Sequence, residues 1–173
     1  MTVYCKPKTD EVLLREVGDA QSLLLLGCPI CANLSYAIQK NDDDSPCMKI
    51  TPKGGKPLYV TKEVNRVSSL LQDKGKTVKE QVFNLPGGLC SLNDKDMKKF
   101  RRKAADASTI VTFSCELGKE HMERRFPDKT VIGAMNAVGI FGVPIEQKLH
   151  RFYLDREKAN IKSFTLVEDS KDS

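Results

Sequence analysis

The sequence predicts an α/β fold, a doubly wound and mostly parallel sheet in a three-layer sandwich, with an inserted β-hairpin. Three observations lead there. Leu23 to Leu26 and Thr109 to Ser114 are short, mostly apolar runs of the kind a strand shows when both of its faces are covered. Each run exits through a turn into a segment of helical periodicity. Strand and helix units alternate along the chain, which implies parallel pairing with right-handed crossovers.

The elements follow in order. Thr9 or Asp10 caps a first helix with Val12, Leu13 and Val17 inward and Gly18 as its stop. The Leu23–Leu26 strand ends in Gly27-Cys28-Pro29-Ile30-Cys31, and a helix runs from about Ala32 to Gln39. Asn41-Asp42-Asp43-Asp44-Ser45-Pro46 is a surface loop. Met48 to Thr51 and Pro57 to Val60 flank Lys53-Gly54-Gly55-Lys56 as a hairpin insertion spanning residues 46–60. Thr61 caps a helix with Val64, Val67 and Leu71 on one face, ending near Gly75. Val78 to Leu85 is a strand with Pro86-Gly87-Gly88-Leu89-Cys90 as its exit turn. Asn93 or Asp94 caps a helix with Met97, Phe100 and Ala104 inward. The Thr109–Ser114 strand meets Cys115, and a short helix around Lys119 to Arg125 ends before Pro127. Thr130 to Met135 is a strand ending at Asn136-Ala137. Pro144 opens a helix carrying Ile145, Leu149 and Phe152. Phe164 to Val167 is a last edge strand.

A chain of 173 residues suits one domain, residues 1–168, with a polar tail at 169–173. Hydrophobic content of 40% with 29% charged residues excludes a disordered chain. No stretch approaches the roughly 20 apolar residues that cross a bilayer, and the N-terminus lacks a basic segment followed by an apolar core. A cytoplasmic protein with no membrane partner is expected. The net charge of +5 permits an anionic partner without demanding one. Lys98-Lys99-Phe100-Arg101-Arg102-Lys103 reads as the solvated face of a helix, and no nucleic-acid motif accompanies it.

The six cysteines carry the chemistry. In a reducing compartment, clustered cysteines point to metal or redox chemistry more than to disulfides. In a parallel sheet all strand C-termini share one edge, where ligands bind near a switch in strand order. Cys28 and Cys31 follow the first strand, Cys90 the second and Cys115 the third, so the topology brings all four to one edge. Cys-x-x-Cys grips an ion while the chain turns into a helix, whose N-terminus favours thiolate. Gly27, Gly87 and Gly88 let the backbone pass close to a bulky centre. Four thiolates complete a tetrahedral Zn2+ site or hold one [4Fe-4S] cluster, and ligand type does not separate the two. Two other readings stand beside this one: a thioredoxin-like dithiol without metal, and buried thiols packed as small apolar groups. Cys5 and Cys47 read as spare. His121 reads as an exposed helix histidine beside Glu120 and Glu123, and Gly118-Lys119 lacks the spacing of a phosphate loop.

At these same residues the sequence resembles the small accessory subunit (MetV) of methylenetetrahydrofolate reductase from anaerobic, acetogen-type bacteria. That family has a strand running into Gly-Cys-x-x-Cys, matched by Leu25-Leu26-Gly27-Cys28-Pro29-Ile30-Cys31. Its middle cysteine is matched in place by Cys90. Its Ser/Ala-Cys-Gly-type turn, helix and Phe-Pro-x-x-Pro-Val are matched by Phe113-Ser114-Cys115-Glu116-Leu117-Gly118 and Arg125-Phe126-Pro127-Asp128-Lys129-Thr130-Val131. Its Pro-Ala-Leu-Asn resembles Ile132-Gly133-Ala134-Met135-Asn136. The likeness covers about Ser22 to Gly142. The family's cysteine-rich iron–sulfur tail has no counterpart after Cys115, and the hairpin insertion is extra. The resemblance implies a four-cysteine module that docks on a flavin- or corrinoid-dependent one-carbon enzyme, more an accessory subunit than a catalyst. An enzyme using a cysteine-bound metal on a small anion or thiol, and a cysteine-based redox or metal sensor, are the alternatives.

Overall fold

The computed structural model describes residues 2–40, 58–82, 88–142, 145–148, 151–154, 158 and 160–164. The core is a four-stranded parallel sheet, made of β2 (Ser22–Gly27), β3 (Thr77–Val82), β4 (Thr109–Phe113) and β5 (Thr130–Gly133) in the order β3-β2-β4-β5. Helices flank it in an α/β sandwich, as expected: α1 (Asp10–Val17), α2 (Cys31–Gln39), α3 (Tyr59–Asp73), α4 (Asp94–Ala104) and α5 (Glu116–Arg125). Leu23 to Leu26 are almost wholly enclosed because β2 is central and covered on both faces. β3 lies at the edge and carries exposed Lys79 and Glu80, charges of the kind that keep an edge strand from pairing with another chain. Thr9 caps α1 by accepting the Val12 N–H, and Gly18 ends it at φ 52°, a backbone angle glycine adopts without strain. Asn93 caps α4 by accepting the Lys95 and Asp96 N–H groups, and Met97, Phe100 and Ala104 face the core.

The chain steps from β2 outward to β3, then returns to β4 on the far side of β2. The sheet therefore reverses its order between β2 and β4. Gly27 is in register with Phe113, and the Cys28 N–H donates to the Phe113 carbonyl at 2.9 Å, carrying the pairing one residue past the strand.

A second, antiparallel sheet of β1 (Thr2–Pro7), β6 (Met135–Gly142) and β9 (Asn160–Ser163) was not anticipated. Asn136 and Ala137 lie within β6, not in a turn, because the chain pairs with β1 immediately after Ala134. The register shifts between Tyr4 and Cys5, a bulge of the kind that re-aims a side chain. Gly139 is required in β6, since a Cβ there would run into the Lys162 carbonyl of β9.

Two further expectations are corrected. The helix opened by Pro144 is instead a hairpin, β7 (Ile145–Lys148) with β8 (Arg151–Leu154), in which Ile145 is in register with Leu154 and Gln147 with Phe152. Phe152 and Tyr153 favour strand, and the helical spacing of three apolar residues was too short a pattern to outweigh that. Tyr59 and Val60 belong to α3 and not to a hairpin strand or to a segment before a Thr61 cap. The apolar repeat Val60, Val64, Val67, Leu71 starts one turn earlier than expected, and all four are buried. The rest of the expected hairpin, residues 46–57, lies outside the described residues, as do Cys47 and the tail at 169–173. A strand that was not expected, Asn160–Ser163, runs up to Phe164, and residues 165–167 of the expected edge strand lie outside the described residues. The side chains of Asn160–Ser163 are exposed, so backbone pairing with β6 and not an apolar pattern defines this strand.

Candidate metal centre

The four predicted cysteines leave the parallel sheet at its switch point. Cys28 stands one residue past β2 and Cys31 opens α2. Cys115 is the N-cap of α5, two residues past β4. Cys90 sits in a one-turn 3₁₀ helix, Leu89–Ser91, which packs against α5. The β2–β4 reversal therefore places two of the exits side by side, and the turn before α4 returns a third sulfur to them.

Two close pairings organise the sulfurs. Gly88 lies between the first: a Cβ built there would stand 3.4 Å from the Cys90 sulfur and 3.5 Å from the Cys28 sulfur. In the second, the Cys31 thiol is hydrogen-bonded to the Cys115 sulfur. Cys115 also interacts electrostatically with Cys28 and with Cys90, which links the two pairs.

Protonation follows the surroundings. Cys115 is pushed down to about 6, first by the Cys31 hydrogen bond and then by the backbone N–H groups of Gly118 and Leu117 at the start of α5. Cys31 is pushed up, first by the same contact with Cys115 and then by burial. Burial raises Cys28, against the N–H groups of Leu89, Ile30 and Cys31 that face its sulfur. Burial also raises Cys90, although that residue as a whole is exposed.

Gly118 holds this corner together. A Cβ there would fall 2.8 Å from both the Cβ and Oγ of Ser114 and 3.2 Å from the Leu89 Cβ. Gly27 has the same role under α3, where a Cβ would meet Val82 at 2.9 Å and Val60 and Val64 at 3.2 Å.

Cys5, taken as spare, is fully buried beside the group. Its thiol is pushed up to about 12, first by burial and then by the neighbouring Cys115 and Cys28 sulfurs. Its N–H donates to Ser35 Oγ at 2.9 Å, and Ser35 Oγ donates to the Cys31 carbonyl at 2.7 Å. The missed strand β1 thus brings a fifth sulfur to the cluster. The only signal in the sequence was Thr2-Val3-Tyr4 ahead of it, a run of strand-favouring residues. His121 is half-buried instead of exposed: its ring lies by the Leu92 backbone, and its Nε2 is enclosed with no hydrogen-bond partner among the described residues.

The five described cysteines are free thiols. Among the described residues no three His, Cys, Asp or Glu side chains already stand in a metal-holding arrangement. The donor chemistry nevertheless fits a soft ion or cluster. Four thiols are present, one is favoured as thiolate, two sit at helix starts, and a glycine leaves the space between two of them clear of side chain.

Comparison with family models, with curated proteins and with solved structures finds no match to this chain. Among the described residues no helix is long and apolar enough to cross a membrane.

Proposed function

We propose that this chain is a cytoplasmic metal- or iron–sulfur-binding accessory subunit. It resembles the MetV component of methylenetetrahydrofolate reductase and serves a flavin- or corrinoid-dependent enzyme of one-carbon and methyl-transfer metabolism. The observation that carries the reading is the gathering of Cys28, Cys31, Cys90 and Cys115 at the β2–β4 switch point. These four residues hold Zn2+ or a [4Fe-4S] cluster. Zinc on four thiolates would be a closed site that ties the segments together, and a cluster would supply a one-electron carrier. The chain's own part is to present sulfur: the N–H groups at the start of α5 and around Cys28 stabilise thiolate, and the glycines let the segments approach.

The test is elemental analysis and an optical spectrum of anaerobically purified protein. Stoichiometric zinc without colour, or iron with broad absorption at roughly 400 nm, is the expected result, with loss of the metal on Cys90→Ser. Metal-free protein, or full loading of that variant, overturns it. Co-purification of a flavin- or corrinoid-dependent enzyme tests the accessory role, and turnover by the isolated monomer contradicts it.

The Cys31–Cys115 contact favours a second reading, a thiol-based redox or metal sensor. There the Cys115 thiolate attacks a disulfide-bearing oxidant, Cys31 resolves the mixed disulfide, and the oxidant leaves as two thiols. Reversible Cys31–Cys115 disulfide formation under a glutathione redox titration, in protein without metal, distinguishes it.

A further inference from the structure

The described cysteines differ in what can reach them. Cys5, Cys28 and Cys115 are buried and Cys31 is half-buried, whereas Cys90 is exposed. Cys90 sits on the one-turn helix Leu89–Ser91, between buried Leu89 and exposed Ser91. The Ser91 N–H and hydroxyl tie this turn off, donating to the Gly88 carbonyl at 3.1 and 2.9 Å. A reagent arriving from solvent therefore meets Cys90 before the other described sulfurs, and cysteine reactivity requires access.

Cys28 stands close by. A Cβ built at Gly88 is 3.4 Å from the Cys90 sulfur and 3.5 Å from the Cys28 sulfur, so the two sulfurs are at most about 7 Å apart, and residue 88 puts no side chain beside them. A change of one staggered rotamer moves a cysteine sulfur by about 3 Å. Closing to the roughly 2 Å of a disulfide therefore needs rotation of Cys90 with a small shift of its turn. Cys28 is the fixed partner. Its N–H donates to the Phe113 carbonyl at 2.9 Å, and the N–H groups of Leu89, Ile30 and Cys31 face its sulfur. An accessible thiol on a surface turn beside a buried, anchored one is the division between an entry cysteine and a resolving cysteine.

We propose that Cys90 is a modification site for low-molecular-weight disulfides, and that Cys28 resolves the adduct to a Cys28–Cys90 disulfide. The Cys90 thiolate attacks one sulfur of the reagent, a mixed disulfide forms, and one thiol leaves. The Cys28 thiolate then attacks Cys90 Sγ and expels the second thiol. The reagent takes two electrons and the two cysteine protons, leaving as two thiols. The consequence for the metal rests on the metal-centre reading: with two of its four thiolates joined to each other, the ion or cluster is released. Oxidation entering at Cys90 thus empties the site.

Glutathione disulfide is the probe, added to the reduced full-length chain freed of metal by chelation, with acid quenching at intervals and peptide mass mapping. Of the five described cysteines, Cys90 is expected to carry glutathione first, roughly tenfold or more faster than the others, and the Cys28–Cys90 disulfide follows. Cys28→Ser, folded by circular dichroism, stops at the Cys90 adduct. Cys90→Ser leaves Cys28 unmodified over the same interval. First modification at Cys5, Cys28, Cys31 or Cys115 overturns the proposal. So does a Cys31–Cys115 disulfide in place of Cys28–Cys90, or modification of Cys28 at the parent's rate in Cys90→Ser. The order of reaction is read on metal-free protein, so a chain that binds no metal sinks the metal-centre reading and not this one. In metal-loaded protein, release is expected in step with the disulfide, and metal retained after the disulfide has formed overturns the coupling.

Discussion

Cys31 at the start of α2 interacts with Cys115 at the start of α5, and that interaction pushes the Cys115 thiol down to about 6 and the Cys31 thiol up. In metal-free, reduced protein a thiolate is therefore expected well below the ordinary cysteine value of 9.0, disappearing as pH falls through about 6. Cys115→Ser removes that titration. Cys31→Ser keeps it but moves it upward, since the strongest stabiliser of the anion is lost. Ultraviolet absorbance of thiolate against pH measures both. A single midpoint near 9 in the parent protein contradicts the pairing.

Gly118 packs against Ser114 too closely for any side chain. In an open helix, glycine to alanine gains about 1 kcal/mol. Here the new methyl meets the Ser114 side chain at 2.8 Å and the Leu89 Cβ at 3.2 Å, which forces the Leu89–Ser91 turn away from α5. Overpacking of this kind costs about 1–3 kcal/mol. The expected net effect of Gly118→Ala is a loss of up to about 2 kcal/mol in urea unfolding, with weaker metal uptake through displaced Cys90. A more stable variant contradicts the packing.

The parallel sheet was legible because its two central strands are buried on both faces and advertise themselves as apolar runs: Leu23 to Leu26 and Thr109 to Ser114 read as β2 and β4. Their shared C-terminal edge then followed from topology alone, and with it the approach of Cys28 to Cys90 and of Cys31 to Cys115. The second sheet was not legible. Its β1 is partly buried and β9 wholly exposed, so what defines them is the backbone ladder to β6 and not a side-chain pattern. Cys5 was dismissed for that reason, since its place beside Cys28 and Cys115 depends on a long-range pairing with Ala137. The helix assigned after Pro144 failed on the same point. Ile145 with Leu149 and Phe152 matches a helical face, yet strand pairing between Lys148 and Arg151 closes the hairpin.

Asp10 and Arg66 tie α1 to α3 through a two-pronged ion pair. Arg66 holds the Asp10 carboxyl below its ordinary value of 3.8. A carboxylate lowered on folding adds stability that is fully present above 3.8 and is lost as pH falls through the lower, folded value. His121 adds a second window. Burial, then the Arg125 charge, lowers it below 6.5, so its contribution is full above that pH and lost as pH falls through the folded value. Both side chains of the ion pair are substantially exposed, so Asp10→Asn is expected to cost under about 1 kcal/mol at neutral pH. The variant and the parent converge in Tm at strongly acidic pH. A gap that widens on acidification contradicts the assignment.

Five sulfurs stand where four ligands suffice, and the geometry separates the extra one. Cys5 lies in mid-strand in the antiparallel sheet, and not at a strand exit or helix start of the parallel one. Cys28, Cys31 and Cys115 sit at strand exits or helix starts with N–H groups turned toward sulfur, and Cys90 shares Gly88 with Cys28. Cys5→Ser is therefore expected to keep the parent's metal content per chain. It loses stability through a hydroxyl in an apolar site, by about 1–3 kcal/mol. Serine at residue 28, 31, 90 or 115 is expected to lower the metal content. Metal analysis of the five variants, each folded by circular dichroism, checks the division. Loss of metal from Cys5→Ser with retention in Cys90→Ser exchanges the roles of those two sulfurs, making β1 part of the ligand set and the Leu89–Ser91 turn a bystander.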